Sequence, residues 1–211
     1  MNYIGISAGF HDAAISLIGD TGDILFAGHS ERYSKTKHDK NVSIDLVKDA
    51  LGYLDDDFEL HYYERPWVKR TRQLYAGQYS DAFNFKSVRT TLKKVAPWAN
   101  LYKLPIKYYS HHLSHAAAGF QTSPYDRATV VVIDAIGEWD TASIWSAGYV
   151  NNKAVYKKLW SQKYPHSLGL FYSAMTKRAG LKPLDEEYIL MGMAAYSMYD
   201  ANMYGDFLAD A

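Results

Sequence analysis

The chain has no cysteine, no surplus of either charge and no long apolar run, and each absence removes a class of function. Without cysteine there are no disulfides and no thiolate metal sites; any metal must be held by imidazole and carboxylate, and a reducing, cytoplasmic setting is expected. Lys plus Arg and Asp plus Glu each number 23 in 211 residues, so no net field draws the chain to nucleic acid or to an anionic membrane. No stretch approaches the roughly 18 apolar residues that span a bilayer. The opening Met1-Asn2-Tyr3-Ile4 has no basic segment leading into an apolar one, so neither a membrane span nor a signal peptide is expected. What remains is 48% hydrophobic and 22% charged, the composition of a globular protein with a sizeable core.

Two neighbouring stretches organise the rest. In Tyr108-Tyr109-Ser110-His111-His112-Leu113-Ser114-His115-Ala116-Ala117-Ala118, Ser110 is placed to cap a helix that the alanines favour. Positions i and i+4 share a helix face, so His111 and His115 can reach one metal ion; such pairs also occur in ordinary packing. Thr129 to Asp134 is an apolar, β-branched run ending in a carboxylate, followed by a turn with Gly137 and Glu138. That is where an α/β protein places phosphate or metal chemistry, and where a simple turn-forming aspartate also sits.

In chain order, Asn2–Ser7, Ala13–Ile18 and Ile24–Ala27 read as a three-strand meander whose first turn is Gly9-Phe10-His11-Asp12. His11 and Asp12 are acid–base or ligand candidates, or simply turn residues. A polar loop, Glu31 to Asp39, contains Lys37. Ser43 is placed to cap a helix with Ile44, Val47 and Leu51 on one face, and Phe58–Tyr63 reads as a strand. Glu64 to Lys94 interleaves basic and aromatic residues, which fits single-stranded nucleic acid, substrate phosphates or a solvated helix face; the balanced total charge disfavours the first. A second meander runs through Thr141–Tyr149 and Ala154–Leu159, joined at Asn151-Asn152-Lys153. Helices are expected from Ser167 to Gly180 and from Asp185, ahead of a polar, aromatic tail from Ser197 to Ala211.

Five segments in order resemble the O-carbamoyltransferases of the nodulation-factor and antibiotic (cephamycin, tobramycin) type. They are the runs beginning Gly5-Ile6-Ser7, Glu31-Arg32-Tyr33, His111-His112-Leu113, Asp134-Ala135-Ile136 and Tyr164-Pro165-His166; a weaker sixth begins at Glu187. The resemblance implies an α/β fold, the first lobe of an actin-like (ribonuclease-H-like) ATPase, with a mixed sheet and helices on both faces. It implies transfer of a carbamoyl group from carbamoyl-adenylate, made from ATP and carbamoyl phosphate, to an acceptor hydroxyl, with a divalent metal, typically iron. His111 and His115 match the metal-binding histidines, His11, Asp12 and Lys37 the transfer site, and Asp134, Gly137 and Glu138 the nucleotide-side turn. Ala135 stands where the family usually has glycine, Ile189 where it commonly has lysine, and Ser197 where glycine usually follows the tyrosine. On this reading residues 1–211 form the N-terminal lobe; the second lobe and the adenylate-forming domain are absent, so a partner chain or a homo-oligomer would complete the site. A non-catalytic binding or structural module built on the same lobe is the alternative. A single sheet uniting the two meanders is expected, with Ile4, Ile6, Val131 and Ile133 in its core.

Overall fold

The computed structural model describes residues 1–54, 57–83 and 87–196; Phe85, Lys86 and the tail from Ser197 lie outside the described residues. The first meander is β1 (Asn2–Ser7), β2 (Ala14–Ile18) and β3 (Ile24–His29). A short helix α1 (Ser30–Ser34) and α2 (Ile44–Leu51) lead to β4 (Phe58–Tyr62). Then come α3 (Pro66–Tyr75), α4 (Tyr79–Phe83), α5 (Val88–Val95) and the short β5 (Ile106–Tyr108). These strands form a mixed sheet in the order β3-β2-β1-β4-β5, with β2 antiparallel to both its neighbours and β4 parallel to β1 and to β5.

Alternation decides what this sheet buries. Ile4, Ile6, Ile15, Leu17, Leu60 and Tyr62 all point to one face and are almost fully buried. Helices α2 and α5 both cover that face, contributing Leu46, Val47 and Ala50, and Val88 and Leu92. Each fully buried leucine here contributes about 1.5–3 kcal/mol. The buried stripe of α2 is not the expected one: Ile44 is exposed, and Leu46 lies so close to Gly28 that a Cβ there would meet its Cδ1 at 2.9 Å. The missing side chain at Gly28 leaves room for Leu46. The opposite face, with Gly5, Ser7 and Ser16, is a groove of about 460 Å³ whose edge is reached by Ser114. Helices α2 and α5 thus lie on one side of this sheet, and the helix that carries Ser114 approaches the other.

The second half opens with α6 (His111–Gln121), capped as expected by Ser110, whose hydroxyl accepts from the Leu113 N–H. Strands β6 (Arg127–Gly137), β7 (Asp140–Val150) and β8 (Lys153–Lys163) form a separate antiparallel sheet. Asn151 and Asn152 both take positive φ, 50° and 59°, the backbone of a two-residue hairpin turn. Ala116 and Phe120 of α6 are buried, and Ala116 packs with Val132 and Trp145. The expected union of the two meanders in one sheet does not occur. Nor are Val131 and Ile133 core: they are 60% and 59% exposed, because the inward set of β6 is Val130 and Val132. Helices α7 (Leu168–Arg178) and α8 (Glu187–Ala194) follow, α7 with its first turn against β6, where a Cβ on Gly169 would lie 2.5 Å from the Ala135 Cα.

The two halves are joined by α3. Arg65 at its start grips the Glu138 carboxylate through its backbone N–H (2.7 Å) and its guanidinium, and Arg72 donates to the Glu138 carbonyl at 3.2 Å. The Trp139 indole donates to Thr71 at 3.1 Å. The basic, aromatic stretch thus spends several of its cations inside the protein: Arg65 and Arg72 on the β6–β7 turn, Lys69 on Glu64, and Arg89 on the Tyr102 carbonyl. No helix among the described residues is long and apolar enough to cross a membrane.

Candidate metal centre

The site lies where α6, the end of β4 and the end of β6 meet. His111 and His115 are one turn apart on α6, and their Nε2 atoms approach to 3.0 Å. Two imidazole nitrogens at that distance leave room for at most one proton between them, so the pair is arranged for a common cation or proton. Asp134 from β6 completes the group: its Oδ2 is 3.2 Å from His111 Nε2, and all three ligand atoms lie within 4.8 Å of one another. The Ala135 N–H donates to Asp134 Oδ1 at 2.7 Å, which turns the second oxygen toward the histidines. That Oδ2 is buried without a hydrogen bond, and so is His111 Nδ1. A buried carboxylate oxygen left in this state beside two imidazoles fits a divalent ion, and two histidines with one carboxylate are a donor set suited to iron(II) or zinc(II).

Gly137 sets how closely these groups pack. A Cβ at this position would stand 2.3 Å from His111 Cδ2 and 3.0 Å from Asp134 Oδ2. The histidine between the two ligands has a different job. His112 is buried, with Nδ1 2.7 Å from the Ser143 hydroxyl, which also accepts from the Trp145 indole at 2.7 Å; this network anchors α6 to β7.

Electrostatics follow from burial and the surrounding carboxylates. Burial disfavours a charge on His111, but Asp134 and Glu64 on either side outweigh it and lift its pKa to about 9. Burial also opposes the Asp134 charge, yet His111 and the Ala135 N–H hold this carboxyl below its ordinary range. His115 is pushed down by burial and then by the charge on His111.

The remaining sequence-derived residues fall into a second group and a link. Asp12, at φ 46°, accepts or shares hydrogen bonds with His11 Nδ1 at 2.8 Å and His38 Nδ1 at 3.1 Å. Burial works against its charge, but the hydrogen bonds with His38 and His11 keep its pKa low. His38 Nε2 lies 3.4 Å from Asp185, just ahead of α8. Lys37 donates to the Tyr188 hydroxyl at 3.1 Å, so it rests on α8 rather than on Asp12. Glu138 is buried at φ 52° with its carboxylate held by Arg65, which places it in the link between α3 and the β6–β7 turn. The two groups are bridged: the Lys69 ammonium sits 5.2 Å from the ring of Phe10, beside His11, and pairs with Glu64 at 3.0 Å, and Glu64 faces His111.

Sequence reasoning passed over Glu64 and His38. Glu64 carried the same signal as Asp134, a carboxylate just beyond a strand, but was absorbed into the basic stretch that follows. His38 lies within the polar loop from Glu31 to Asp39, three residues beyond Lys35, whose positive φ re-aims the loop.

Comparison with known proteins finds relatives across nearly the whole chain. A family model described as "Carbamoyltransferase N-terminus" matches residues 2–210. An uncharacterised Synechocystis protein is 34% identical over 92% of this chain and 34% of its own length. An uncharacterised protein of Methanocaldococcus jannaschii is 27% identical over 93% of this chain and 34% of its own. The nodulation protein NolNO of Sinorhizobium fredii is 27% identical over 88% of this chain and 28% of that protein. The chain spans about a third of the length of the curated relatives it matches. A match running through nearly every residue decides membership, and the chain belongs to the carbamoyltransferase N-terminus family.

Proposed function

We propose that this chain forms the metal- and nucleotide-binding side of an O-carbamoyltransferase of the actin-like ATPase fold, acting on carbamoyl-adenylate made from ATP and carbamoyl phosphate. The observation that carries the reading is the convergence of His111 Nε2, His115 Nε2 and Asp134 Oδ2 at the junction of two separately packed sheets. A divalent ion held there, iron by family resemblance, would offset phosphate charge and polarise the carbamoyl carbonyl. The opening meander and its polar first turn support the fold assignment.

His11 is assigned as the base. Its Nδ1 is oriented by Asp12, which leaves Nε2 to take the proton of the acceptor hydroxyl. That oxygen then bonds to the carbamoyl carbon while the bond to the adenylate phosphate oxygen breaks, and AMP departs. Lys37, exposed and held by one hydrogen bond to Tyr188, is the cation assigned to the leaving phosphate. The rest of the site would come from sequence beyond these residues or from a partner chain, and the bare outer face of the β6–β8 sheet supports an interface of that kind. The uncovered groove on the first sheet favours a second reading, a binding module without chemistry, but that reading leaves the His–His–Asp convergence without a purpose.

The test is anaerobic titration of iron(II) or zinc(II) into the wild type and a His111→Ala, His115→Ala double variant, with and without nucleotide. One ion per chain bound by the wild type only is the expected result; equal uptake by both proteins removes the metal site and the proposal with it.

A further inference from the structure

We infer that Glu64 is the positioning residue of this centre: its carboxylate takes the Nδ1–H of His111 and thereby commits Nε2 of that ring to the ion. The inference rests on the metal reading above and concerns a residue that lies outside the His–His–Asp group.

The two nitrogens of His111 face different surroundings. Nε2 looks at His115 Nε2 (3.0 Å) and Asp134 Oδ2 (3.2 Å), while Nδ1 looks at Glu64 Oε2 at 3.7 Å and has no hydrogen-bond partner. An N–H···O bond runs to about 3.2 Å, so roughly half an ångström of ring movement toward Glu64 completes it. A ligating histidine ordinarily gives its second N–H to such a carboxylate, which fixes both tautomer and ring plane.

Glu64 is built to hold still. It is 2% exposed, two residues beyond β4, and Lys69 from the first turn of α3 pairs with it through both oxygens, at 3.0 and 3.1 Å. The Ser114 hydroxyl of α6 donates to the neighbouring Tyr63 carbonyl at 2.8 Å, and the Tyr63 ring meets the His111 ring edge-on at 5.3 Å. The helix that carries the ligands is thus tied to the strand end that carries the carboxylate. A carboxylate so deeply buried needs partners for its charge, and Lys69 and His111 are among those present.

Cobalt(II) titration of the full chain, read by its visible absorption bands, tests this with the wild type, Glu64→Gln, Glu64→Asp and His111→Ala. Glu64→Gln should bind cobalt 10–100-fold more weakly, with unchanged stoichiometry and shifted bands, because the amide no longer enforces the tautomer. Glu64→Asp should recover part of the loss. Equal affinity and an identical spectrum in Glu64→Gln would overturn the role of Glu64 while leaving the metal site standing. A wild type that binds no ion would overturn both. If Glu64→Gln fails to fold, nitrogen NMR of histidine in the zinc-loaded wild type decides the matter. His111 protonated at Nδ1 and metallated at Nε2 is expected; the reverse tautomer refutes the inference.

Discussion

Replacing Gly137 with alanine isolates how close packing builds the centre. Gly137 is not among the glycines with positive φ, so alanine meets no backbone penalty there and the effect is one of contact. The new methyl would stand 2.3 Å from His111 Cδ2, 2.7 Å from Cγ and 3.0 Å from Asp134 Oδ2, where ordinary contact begins near 3.4 Å. The His111 ring or the β6–β7 turn must therefore yield by about 1 Å, against ligand distances that tolerate about 0.2 Å. Overpacking of this kind costs about 1–3 kcal/mol, which in a chain of this length lowers the melting temperature by about 2–10 °C. Metal affinity should fall by at least about tenfold. Differential scanning of the metal-free protein and zinc titration of the folded one measure the two effects. Gly119→Ala on α6, where the nearest atom would be 4.0 Å away, is the control and should leave both unchanged or slightly improved. Wild-type melting and wild-type zinc affinity in Gly137→Ala would refute the account.

Because His111 is raised from 6.5 to about 9, its ion pairs stabilise the metal-free fold fully below pH about 6.5. That contribution, on the order of 3 kcal/mol, fades as pH rises through about 9; chemical denaturation across this window should show the loss, and His111→Gln should abolish it. The same proton competes with the ion, so zinc affinity should climb up to about pH 9, well above the 6.5 that an unperturbed histidine suggests, and isothermal titration at several pH values checks this. Glu138→Ala leaves half-exposed Arg65 without its carboxylate, while buried Arg72 keeps the backbone carbonyl at this position, and should cost about 1–3 kcal/mol in denaturant midpoints. Leu46→Ala opens a cavity over Gly28 and should cost about 2–5 kcal/mol by the same measurement. Val131→Lys with Ile133→Lys should change stability by less than about 1 kcal/mol, yet reduce self-association in sedimentation.

Local structure was legible because its causes are local. Ser110 and Ser167 cap their helices through side-chain acceptance from Leu113 and Leu170, and paired asparagines turn the β7–β8 hairpin. The histidines at 111 and 115 came together because helical spacing guarantees a shared face. Asp134 reached them from 19 residues on, which proximity to a glycine turn only suggested. Strand partnership was not legible: nothing in Thr129–Ile133 states which strand it pairs with, and an unbroken apolar run cannot say whether 130 and 132 or 131 and 133 face inward. The roles of Arg65, Lys69 and Arg72 were hidden for a related reason. A cation's partner is set by the fold, and theirs are Glu138 and Glu64, one of them more than sixty residues away.

The exposed face of the β6–β8 sheet has a guarded border. Val131, Ile144 and Trp160 form one row across the three strands, since each is paired with the next, and Val131 and Trp160 at its ends are open to solvent. The outer strand β8, however, carries Lys153, Lys157, Lys158 and Lys163 along its length. Ammonium groups spaced along an edge resist the addition of another strand, whereas an apolar row across a face invites a flat apolar layer. A second body meeting this sheet at its β8 border is thereby steered to stack upon it at about 10 Å rather than to pair with that edge.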